Sequence, residues 1–389
     1  MTLWLILPRD PLIFRDGKPF SNIPGSRAKT MPFPYPSTLA GAVRTSCGKN
    51  PATGHFDDSR IDELLRINIK GPFLAKVDHE GEISDWMLPA PDDAVLFSTE
   101  EDEDYADLYA LRPIEIPAGN LCDLKGDKLA HFSKIIKAKP HPKLPEYWYW
   151  SEFKQWLILP SDRRVRPDDM GIAKLPLDTR IHVSIDPKTL SAAPGELFQT
   201  TGLEFSHRHE KDGLLRLSSR YALAIDTDAD LKEGPGFLGG ERRVVNWRRV
   251  DDALPECPLE VRKSLLETPH TCRLILTTPA YFEDGYMPHW FTEFFGFQVE
   301  VISAIVSRYQ TISGWDYQAR HPKPTRRLAP AGSVYYLKLF PEEGGDIDSF
   351  IDKTWLMPIS DDIQSRLDGF GIAVLGTWDG NLLGKEVLS

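Results

Sequence analysis

One stretch decides the fold of this chain: Gly369-Phe370-Gly371-Ile372-Ala373-Val374-Leu375-Gly376-Thr377-Trp378. Residues 363–367 before it have helical spacing, and the run of Ile, Ala, Val and Leu within it predicts a strand. In a dinucleotide-binding fold the glycine loop follows a strand and opens a helix. Here the glycine loop precedes the strand and no helix follows, so the sequence excludes a Rossmann fold.

The glycines at 369 and 371 have two interpretations. Glycine adopts positive φ readily and lets a ligand approach the backbone closely. The loop is then a row of exposed amides before the last strand of a small sheet, which suits an RNA backbone. The alternative is a glycine turn that caps the preceding helix.

The pattern along the whole chain predicts an α+β fold with two ferredoxin-like (RRM-like, βαββαβ) domains. Residues 1–268 form the N-terminal domain, with a long insertion near residues 98–160 that is rich in Pro, Trp, Tyr and charge. Residues 269–389 form the C-terminal domain, which ends in the glycine-rich loop. The predicted elements include strands at 3–7, 272–278, 298–305, 334–340 and 372–378, and helices at 39–47, 259–266, 290–295 and 347–353.

The composition is that of a globular chain. Its 389 residues are 41% hydrophobic and 26% charged, enough for two domains, and no apolar run reaches the length of a membrane span. The apolar start lacks the basic region and cleavage site of a signal peptide. The four cysteines are scattered with no CxxC pair, which argues against a zinc site and against disulfides. We expect a cytoplasmic protein without a metal or cofactor.

The net charge of −11 argues against non-specific binding of nucleic acid. The acidity is concentrated, however, because positions 100–107 hold six carboxylates. Basic residues form separate clusters, so a basic groove on an acidic body can hold one RNA segment. The clusters are Arg163, Arg164 and Arg166; Arg242, Arg243, Arg248 and Arg249; and Arg320, Lys323, Arg326 and Arg327.

Four further stretches occur in a specific order. They are RDPLIFRDGKPF at 9–20, PFPYPSTLAGAVRT at 32–45, GGERR at 239–243 and RRLAPAGSVYY at 326–336. Together they resemble the RAMP (repeat-associated mysterious protein) superfamily, and most closely the third-subunit family of the Cmr complex, the type III-B CRISPR effector. The resemblance extends from about residue 3 to residue 378.

This resemblance implies a non-catalytic subunit at the foot of the effector complex. Such subunits hold the 5′ repeat-derived tag of the CRISPR RNA and dock against the large polymerase-like subunit and the first backbone subunit. Nuclease activity belongs to neighbouring subunits, and target recognition is delegated to guide pairing, as in other RNA-guided effectors.

The candidate RNA contacts are helix N-terminal hydroxyls, arginines and glycine loops, since amides, helix dipoles and guanidinium groups bind phosphate. Simple capping, a hairpin turn and a solubilising or subunit-facing loop are the alternatives. Phe237, Trp247 and Phe370 are candidate platforms for stacked bases. The aromatic run at 147–150 suits either a partner contact or core packing. The candidate RNA-binding residues are Ser37, Thr38, Arg44, Gly239, Gly240, Arg242, Arg243, Lys323, Arg326, Arg327, Gly369, Gly371 and Gly376.

An endoribonuclease that processes CRISPR transcripts is the alternative function. Metal-independent RNA cleavage needs a general base and a group that stabilises the phosphorane, usually His with Lys, Tyr or a second His. The first predicted helix contains no histidine, and the nearest one is His55. His182 lies in an alternating strand, which favours a structural role. We therefore expect no catalytic residues.

Overall fold

The computed structural model describes residues 1–15, 27–28, 30–50, 53–99, 102–115, 128–211, 214–267, 270–289, 296–342 and 345–384. The helices are α1 (Pro36–Cys47), α2 (Ile61–Leu65), α3 (Trp150–Ile158), α4 (Pro167–Met170), α5 (Leu259–Leu266), α6 (Ile347–Thr354) and α7 (Ile363–Asp368), with 3₁₀ turns at Asp58–Arg60 and Gly240–Arg242.

The first seventeen strands are β1 (Thr2–Pro8), β2 (Arg27–Ala28), β3 (Ile69–Val77), β4 (Ile83–Pro89), β5 (Ala94–Ser98), β6 (Ala106–Ala110), β7 (Arg112–Glu115), β8 (Lys128–His131), β9 (Tyr147–Tyr149), β10 (Arg163–Val165), β11 (Gly171–Ile172), β12 (Leu177–Ile185), β13 (Ala192–Leu203), β14 (Ser206–Lys211), β15 (Leu214–Thr227), β16 (Gly234–Phe237) and β17 (Val244–Arg249). The later strands are β18 (Thr271–Leu276), β19 (Phe297–Ile305), β20 (Gln310–Ile312), β21 (Trp315–Asp316), β22 (His321–Pro322), β23 (Arg326–Leu328), β24 (Val334–Pro341), β25 (Met357–Pro358) and β26 (Ile372–Thr377).

The first compact unit comprises Met1–Asp85, Lys174–Asp252 and Thr311–Arg326. In its main sheet β1 lies between β15 and β17, β3 lies on the far side of β15, and all these pairs are antiparallel. Helix α1 packs against β3. Between β15 and β17 the chain forms β16, which pairs with β17, and a 3₁₀ turn. A separate hairpin of β12 and β13 carries β2 on its edge.

The second compact unit comprises Trp86–Ala173, Ala253–Gln310 and Arg327–Ser389. Its main sheet has the antiparallel order β19-β24-β18-β26-β25, with α6 and α7 between β24 and β26 along the chain. Both faces of β18 are covered, since all six of its residues are buried. Helix α5 packs on one side, and α3 contacts the neighbouring strand β26.

The fold is therefore α+β, with mostly antiparallel sheets and few helices, as predicted. The strands predicted at 3–7, 272–278, 298–305, 334–340 and 372–378 are present, as are the helices at 39–47, 259–266 and 347–353. The helix predicted at 290–295 lies outside the described residues. The compact units alternate along the chain, whereas the predicted domains divide it once, at 268. In the described ranges, no helix is long and apolar enough to cross a membrane.

Two aromatic residues of the run at 147–150 belong to the core. Trp148 is buried and meets Trp156 edge to face, with the ring centroids 5.9 Å apart. Tyr147 is buried as well. Of the two explanations offered for the run at 147–150, core packing accounts for these two rings.

A buried ion pair lies at the centre of the second unit. Nη1 of Arg273 donates to Oδ2 of Asp93 at 2.6 Å, and both side chains are 0% exposed. The indole Nε1 of Trp156 donates to the other carboxylate oxygen of Asp93 at 2.8 Å. The Tyr336 hydroxyl lies 3.3 Å from Asp93 Oδ2 and donates to the Leu111 carbonyl. Asp93 is thus held by three side chains.

The rest of the Arg273 guanidinium is bound by backbone carbonyls. Nη2 donates to Trp156 O at 2.6 Å, near the end of α3, and Nε donates to Thr377 O at 2.9 Å. The last carbonyls of a helix lack intrahelical partners and carry partial negative charge, so a cation there is favourable. Every nitrogen of this buried guanidinium therefore has an acceptor.

Asp93→Asn is expected to lower the free energy of unfolding by on the order of 3 kcal/mol, because it leaves Arg273 as a buried charge without a counter-ion. Urea denaturation of the purified chain measures this. The control is Asp348→Asn, which breaks a half-exposed ion pair with Arg262 and is expected to cost less than about 1 kcal/mol. Equal losses in the two variants would contradict a central role for the buried pair.

The neighbouring Asp92 gives the second unit a pH-dependent stability. Its carboxylate accepts from the Ser307 hydroxyl at 2.8 Å, but burial dominates and raises its pKa to about 6. The Asp93 charge adds to this increase. Between the unfolded pKa, near 4, and the folded one, the native state binds the proton more tightly, so stability falls as the pH rises through this window.

Asp92→Asn is therefore expected to gain stability relative to the natural chain as the pH rises from 4 to 7. The change is up to about 3 kcal/mol, because each pKa unit corresponds to about 1.4 kcal/mol. Denaturation at a series of pH values measures it. Asp104→Asn, which removes an exposed carboxylate of the same unit, is the matched control for the loss of one negative charge. If the stability difference between Asp92→Asn and the natural chain did not change with pH, the raised pKa of Asp92 would be refuted.

Candidate nucleic-acid interface

The start of α1 differs from the prediction. Pro36 occupies the first helical position and Tyr35 precedes it, so the helix begins three residues before the predicted start at 39 and the capping alternative for Ser37 and Thr38 is wrong. Proline is favoured at that position because its missing N–H needs no partner there. Ser37 and Thr38 lie in the first turn, and their hydroxyls form no hydrogen bond within the described ranges.

Arg44 has a structural role inside the first unit. Its guanidinium donates to the carbonyls of Leu64, Leu65 and Ile67 at 3.0, 3.3 and 3.3 Å. Leu64 and Leu65 are the last residues of α2, and Ile67 follows two residues later. The arginine predicted to add charge for RNA therefore ties α1 to α2, and its RNA contact stays a prediction.

Two of the resemblance stretches meet in the first unit. The amide of Gly240 donates to Ile13 O at 2.7 Å, and a Cβ added to Gly239 would lie 2.5 Å from the same oxygen. Gly239 has φ 76°, and Glu241 and Arg242 follow with φ 58° and 51°. Glycine at 239 is required both by this φ and by the close approach of the two segments.

The arginines of this glycine turn differ in their surroundings. Glu241 accepts from Arg243 at 2.9 Å and lies 3.4 Å from Arg15. Arg242 is exposed, and its guanidinium lies over the Phe237 ring, 4.6 Å from the centroid. Left-handed backbone at non-glycine residues costs on the order of 1 kcal/mol each, so the surrounding contacts hold the turn. Arg243 therefore helps to hold the turn, whereas the Arg242 guanidinium and the Phe237 ring are both exposed to solvent.

The third predicted cluster is divided between the units. Lys323 lies in the first unit, and its amide donates to Gly314 O at 2.7 Å. Arg326 is the last residue of that unit and is half-buried. Arg327 belongs to the second unit, where its guanidinium lies over the Tyr309 ring at 4.7 Å.

The glycine loop of residues 369–371 does not present free amides. The amides of Gly369, Phe370 and Gly371 donate to Arg366 O, Ser365 O and Pro279 O at 3.1, 2.9 and 2.8 Å. The amide of Ile372 donates to the Thr278 hydroxyl at 2.8 Å. The prediction of a row of exposed amides is therefore wrong, and the alternative applies: Gly369, with φ 93°, caps α7.

Gly376 is explained by the buried ion pair. It lies opposite Arg273 in the pairing of β18 with β26, and an added Cβ would be 2.9 Å from Nη2 of that arginine. Packing therefore accounts for Gly376 without RNA.

Two of the three candidate stacking platforms are buried. Phe370 is 0% exposed, and Trp247 is covered within β17. Only Phe237 presents a ring to solvent, and it does so beside Arg242. In contrast, Trp315 and Tyr317 are exposed and were not predicted. Their interleaving with Arg320, Lys323 and Arg326 is the sequence signal that identifies them, since aromatic and basic residues together are typical of single-strand binding.

Gly371→Ala is expected to destabilise the chain by about 1–3 kcal/mol, since φ is 80° and the new Cβ would lie 2.8 Å from the Ser360 hydroxyl. RNA affinity of the folded protein should stay unchanged. Thermal denaturation and RNA titration measure the two effects. Gly41→Ala is the control: it lies in α1 with nothing within 4 Å and should be neutral or stabilising. Weakened RNA binding at full stability would instead favour an RNA-binding loop.

No curated protein matches the chain. Two solved cryo-EM structures each contain a chain that matches this one: the type III-B Cmr-beta bound to cognate target RNA and AMPPnP, and the type III-B Cmr-beta bound to cognate target RNA. They are 15% and 16% identical, each match covers 86% of both chains, and the TM-scores are 0.45 and 0.44. The sequence model of the CRISPR-associated protein family Cas_Cmr3 matches residues 4–378, so this chain belongs to that family.

Proposed function

We propose that the chain is a non-catalytic CRISPR RNA-binding subunit of a type III-B effector complex. In this proposal it holds the 5′ repeat-derived tag of the CRISPR RNA and docks on the large polymerase-like subunit and the backbone subunit in antiviral defence. Membership of the Cas_Cmr3 family supports the proposal that the chain works in a CRISPR effector complex. The observation that carries the RNA role is the glycine turn of residues 239–243, which presents Arg242 over Phe237.

This turn combines the two features that bind single-stranded RNA. The guanidinium group bonds phosphate oxygens, and its plane and the neighbouring ring both accept a stacked base. Gly239 and Gly240 leave no side chain between the backbone and a ligand. The Gly240 amide bond to Ile13 and the ion pair of Glu241 with Arg243 hold the turn, which lowers the ordering cost of binding.

We further propose that both compact units are ferredoxin-like. The strand order supports this. In the first main sheet β1 lies between β15 and β17 with β3 beside β15, and in the second β18 lies between β24 and β26 with β19 beside β24. In the first unit the glycine-rich segment of residues 234–243 stands where the second helix of a βαββαβ unit belongs. The replacement puts the turn that carries Arg242 directly on the sheet.

The non-catalytic assignment is supported by the surroundings of the histidines. His182 stacks on Phe198, with the ring centroids 5.2 Å apart, and bonds the Thr200 hydroxyl at 2.9 Å, as a structural residue does. These contacts give His182 a structural role, which supports the non-catalytic proposal over a processing endoribonuclease that uses this residue.

The hairpin of β12 and β13 supports docking on another subunit. Leu177, Ile181 and Ile185 are exposed and share one face, because alternate residues of a strand point the same way. Leu197 on β13 is exposed too, and it lies opposite Val183 on that face. Exposed apolar groups in a row mark a protein contact.

Arg242→Gln is expected to weaken binding of 5′-tagged CRISPR RNA roughly tenfold, because one charge-assisted contact to phosphate is lost. The slope of log affinity against log salt should fall by about 0.7, the share of one phosphate on a single strand. Fluorescence anisotropy with the full chain measures both quantities. The control is Lys154→Gln, an exposed residue of α3 that changes net charge equally.

Gel analysis of the same RNA after incubation tests the non-catalytic role. We expect the RNA to stay intact. Cleavage that disappears in His182→Ala or His55→Ala would replace this proposal with the endoribonuclease. Binding that Arg242→Gln and Lys154→Gln leave equally unchanged, with the RNA intact, would leave only a protein scaffold.

A further inference from the structure

A small hairpin in the first unit carries chemistry that the proposed function does not yet use. Strand β21 pairs with β22, with Trp315 opposite Pro322. The Lys323 amide donates to Gly314 O at 2.7 Å, and Asp316 Oδ1 accepts from the Ala319 amide at 2.8 Å. We call residues 313–323 the Trp315 hairpin. Backbone bonds and the Asp316 side chain hold the shape of the hairpin, and the Trp315 side chain takes no part in these bonds.

The two large side chains of the Trp315 hairpin face water. Trp315 is 62% exposed and Tyr317 is 57% exposed. The Trp315 ring contacts no other aromatic ring or cation in the described part of the chain. An indole carries a large apolar surface whose burial is favourable, so an exposed one in an ordered hairpin indicates a binding surface.

The charge around these rings is opposite to that of the whole chain. Residues 311–326 contain Arg320, Lys323 and Arg326 and a single carboxylate, Asp316, while the chain has a net charge of −11. Arg320 and Lys323 form no ion pair with any described residue. Both cations are therefore available to a ligand, and the local field favours an anion.

The base of the hairpin is fixed to the rest of the first unit. The Tyr35 hydroxyl donates to Thr311 O at 3.4 Å, and the Tyr317 ring meets Phe56 edge to face with the centroids 5.5 Å apart. Tyr35 is the residue that precedes α1. The exposed face of Trp315 is thus presented from an anchored support, which lowers the ordering cost of binding.

We propose that the Trp315 hairpin is a stacking platform for an unpaired base of single-stranded RNA. Trp315 stacks on the base, and Arg320 and Lys323 contact the flanking phosphates. Residues 313–323 contain no Leu, Ile, Val, Met or Phe, and this absence of aliphatic side chains beside an excess of cations favours RNA over a protein partner. The inference rests on the proposed RNA-binding function and names a second contact for it.

The test measures RNA affinity of the full chain by fluorescence anisotropy. The probe is a labelled single-stranded RNA that carries the repeat-derived 5′ tag. Trp315→Ala is expected to weaken binding about tenfold or more, as loss of one base stack does. Trp315→Phe, which keeps a ring, should retain most of the affinity. Phe340→Ala, an exposed aromatic residue of the second unit, is the control and should bind as the natural chain does.

A series of RNAs, each with one abasic position, tests base stacking directly, because a purely structural role of Trp315 would not make the RNA affinity depend on one base. One of these RNAs should bind the natural chain as weakly as intact RNA binds Trp315→Ala. The affinity of that abasic RNA should be no lower for Trp315→Ala than for the natural chain. Thermal denaturation should show equal stability for all variants, since Trp315 is mostly exposed.

The outcomes separate this inference from the proposed function. If the natural chain binds no RNA, both are wrong. If it binds RNA and Trp315→Ala binds equally well, the stacking platform is wrong and the RNA-binding function stands. If Trp315→Ala keeps its RNA affinity but no longer assembles with the other subunits, the hairpin is a protein contact and the inference is overturned.

Discussion

The second unit is built around one requirement, that the Arg273 guanidinium be fully bonded in the middle of a sheet. A buried charge without partners costs several kcal/mol, so each acceptor around it is constrained in position. The Asp93 carboxylate must reach Nη1 of the guanidinium, and α3 must end where the Trp156 carbonyl reaches Nη2. The facing strand must have glycine at 376 to leave space. Segments far apart in sequence are thereby set in one arrangement.

The elements of the main sheets could be predicted because their signals are local. The strand β18 ends in the apolar residues Leu274, Ile275 and Leu276, and α6 has its polar and apolar residues at helical spacing with Asp346 as its cap. The partners of Arg273 could not be predicted. Asp93 belongs to a turn-like Pro-Asp-Asp sequence 180 residues earlier, and nothing local to either residue indicates the other.

The candidate site shows the same limit. A glycine that caps a helix and a glycine that admits a ligand both need positive φ, so the sequence at 369–371 is compatible with both. Only the hydrogen-bond partners of the amides distinguish them, and these partners come from residues 278–279 and from α7. The four resemblance stretches, by contrast, indicated the family correctly, because their order along the chain is a property of the sequence itself.

Clusters of basic residues in the sequence overstate the charge available to a ligand. Arg44 is used by helix carbonyls, and Arg243 by Glu241. Arg242, Arg320 and Lys323 remain directed at solvent. A sequence count of arginines therefore locates a basic region but does not separate the residues that hold the fold from those that remain for binding.

The ion pair between Asp93 and Arg273 also sets conditions for biosynthesis. A ribosome adds about 5–20 residues per second, so roughly ten to forty seconds separate the synthesis of these two residues. Until β18 and β26 are made, Asp93 and Trp156 lack the sheet that buries them in the folded unit. Aromatic surface is therefore exposed on the unfinished chain, and such surface makes incomplete chains prone to aggregation.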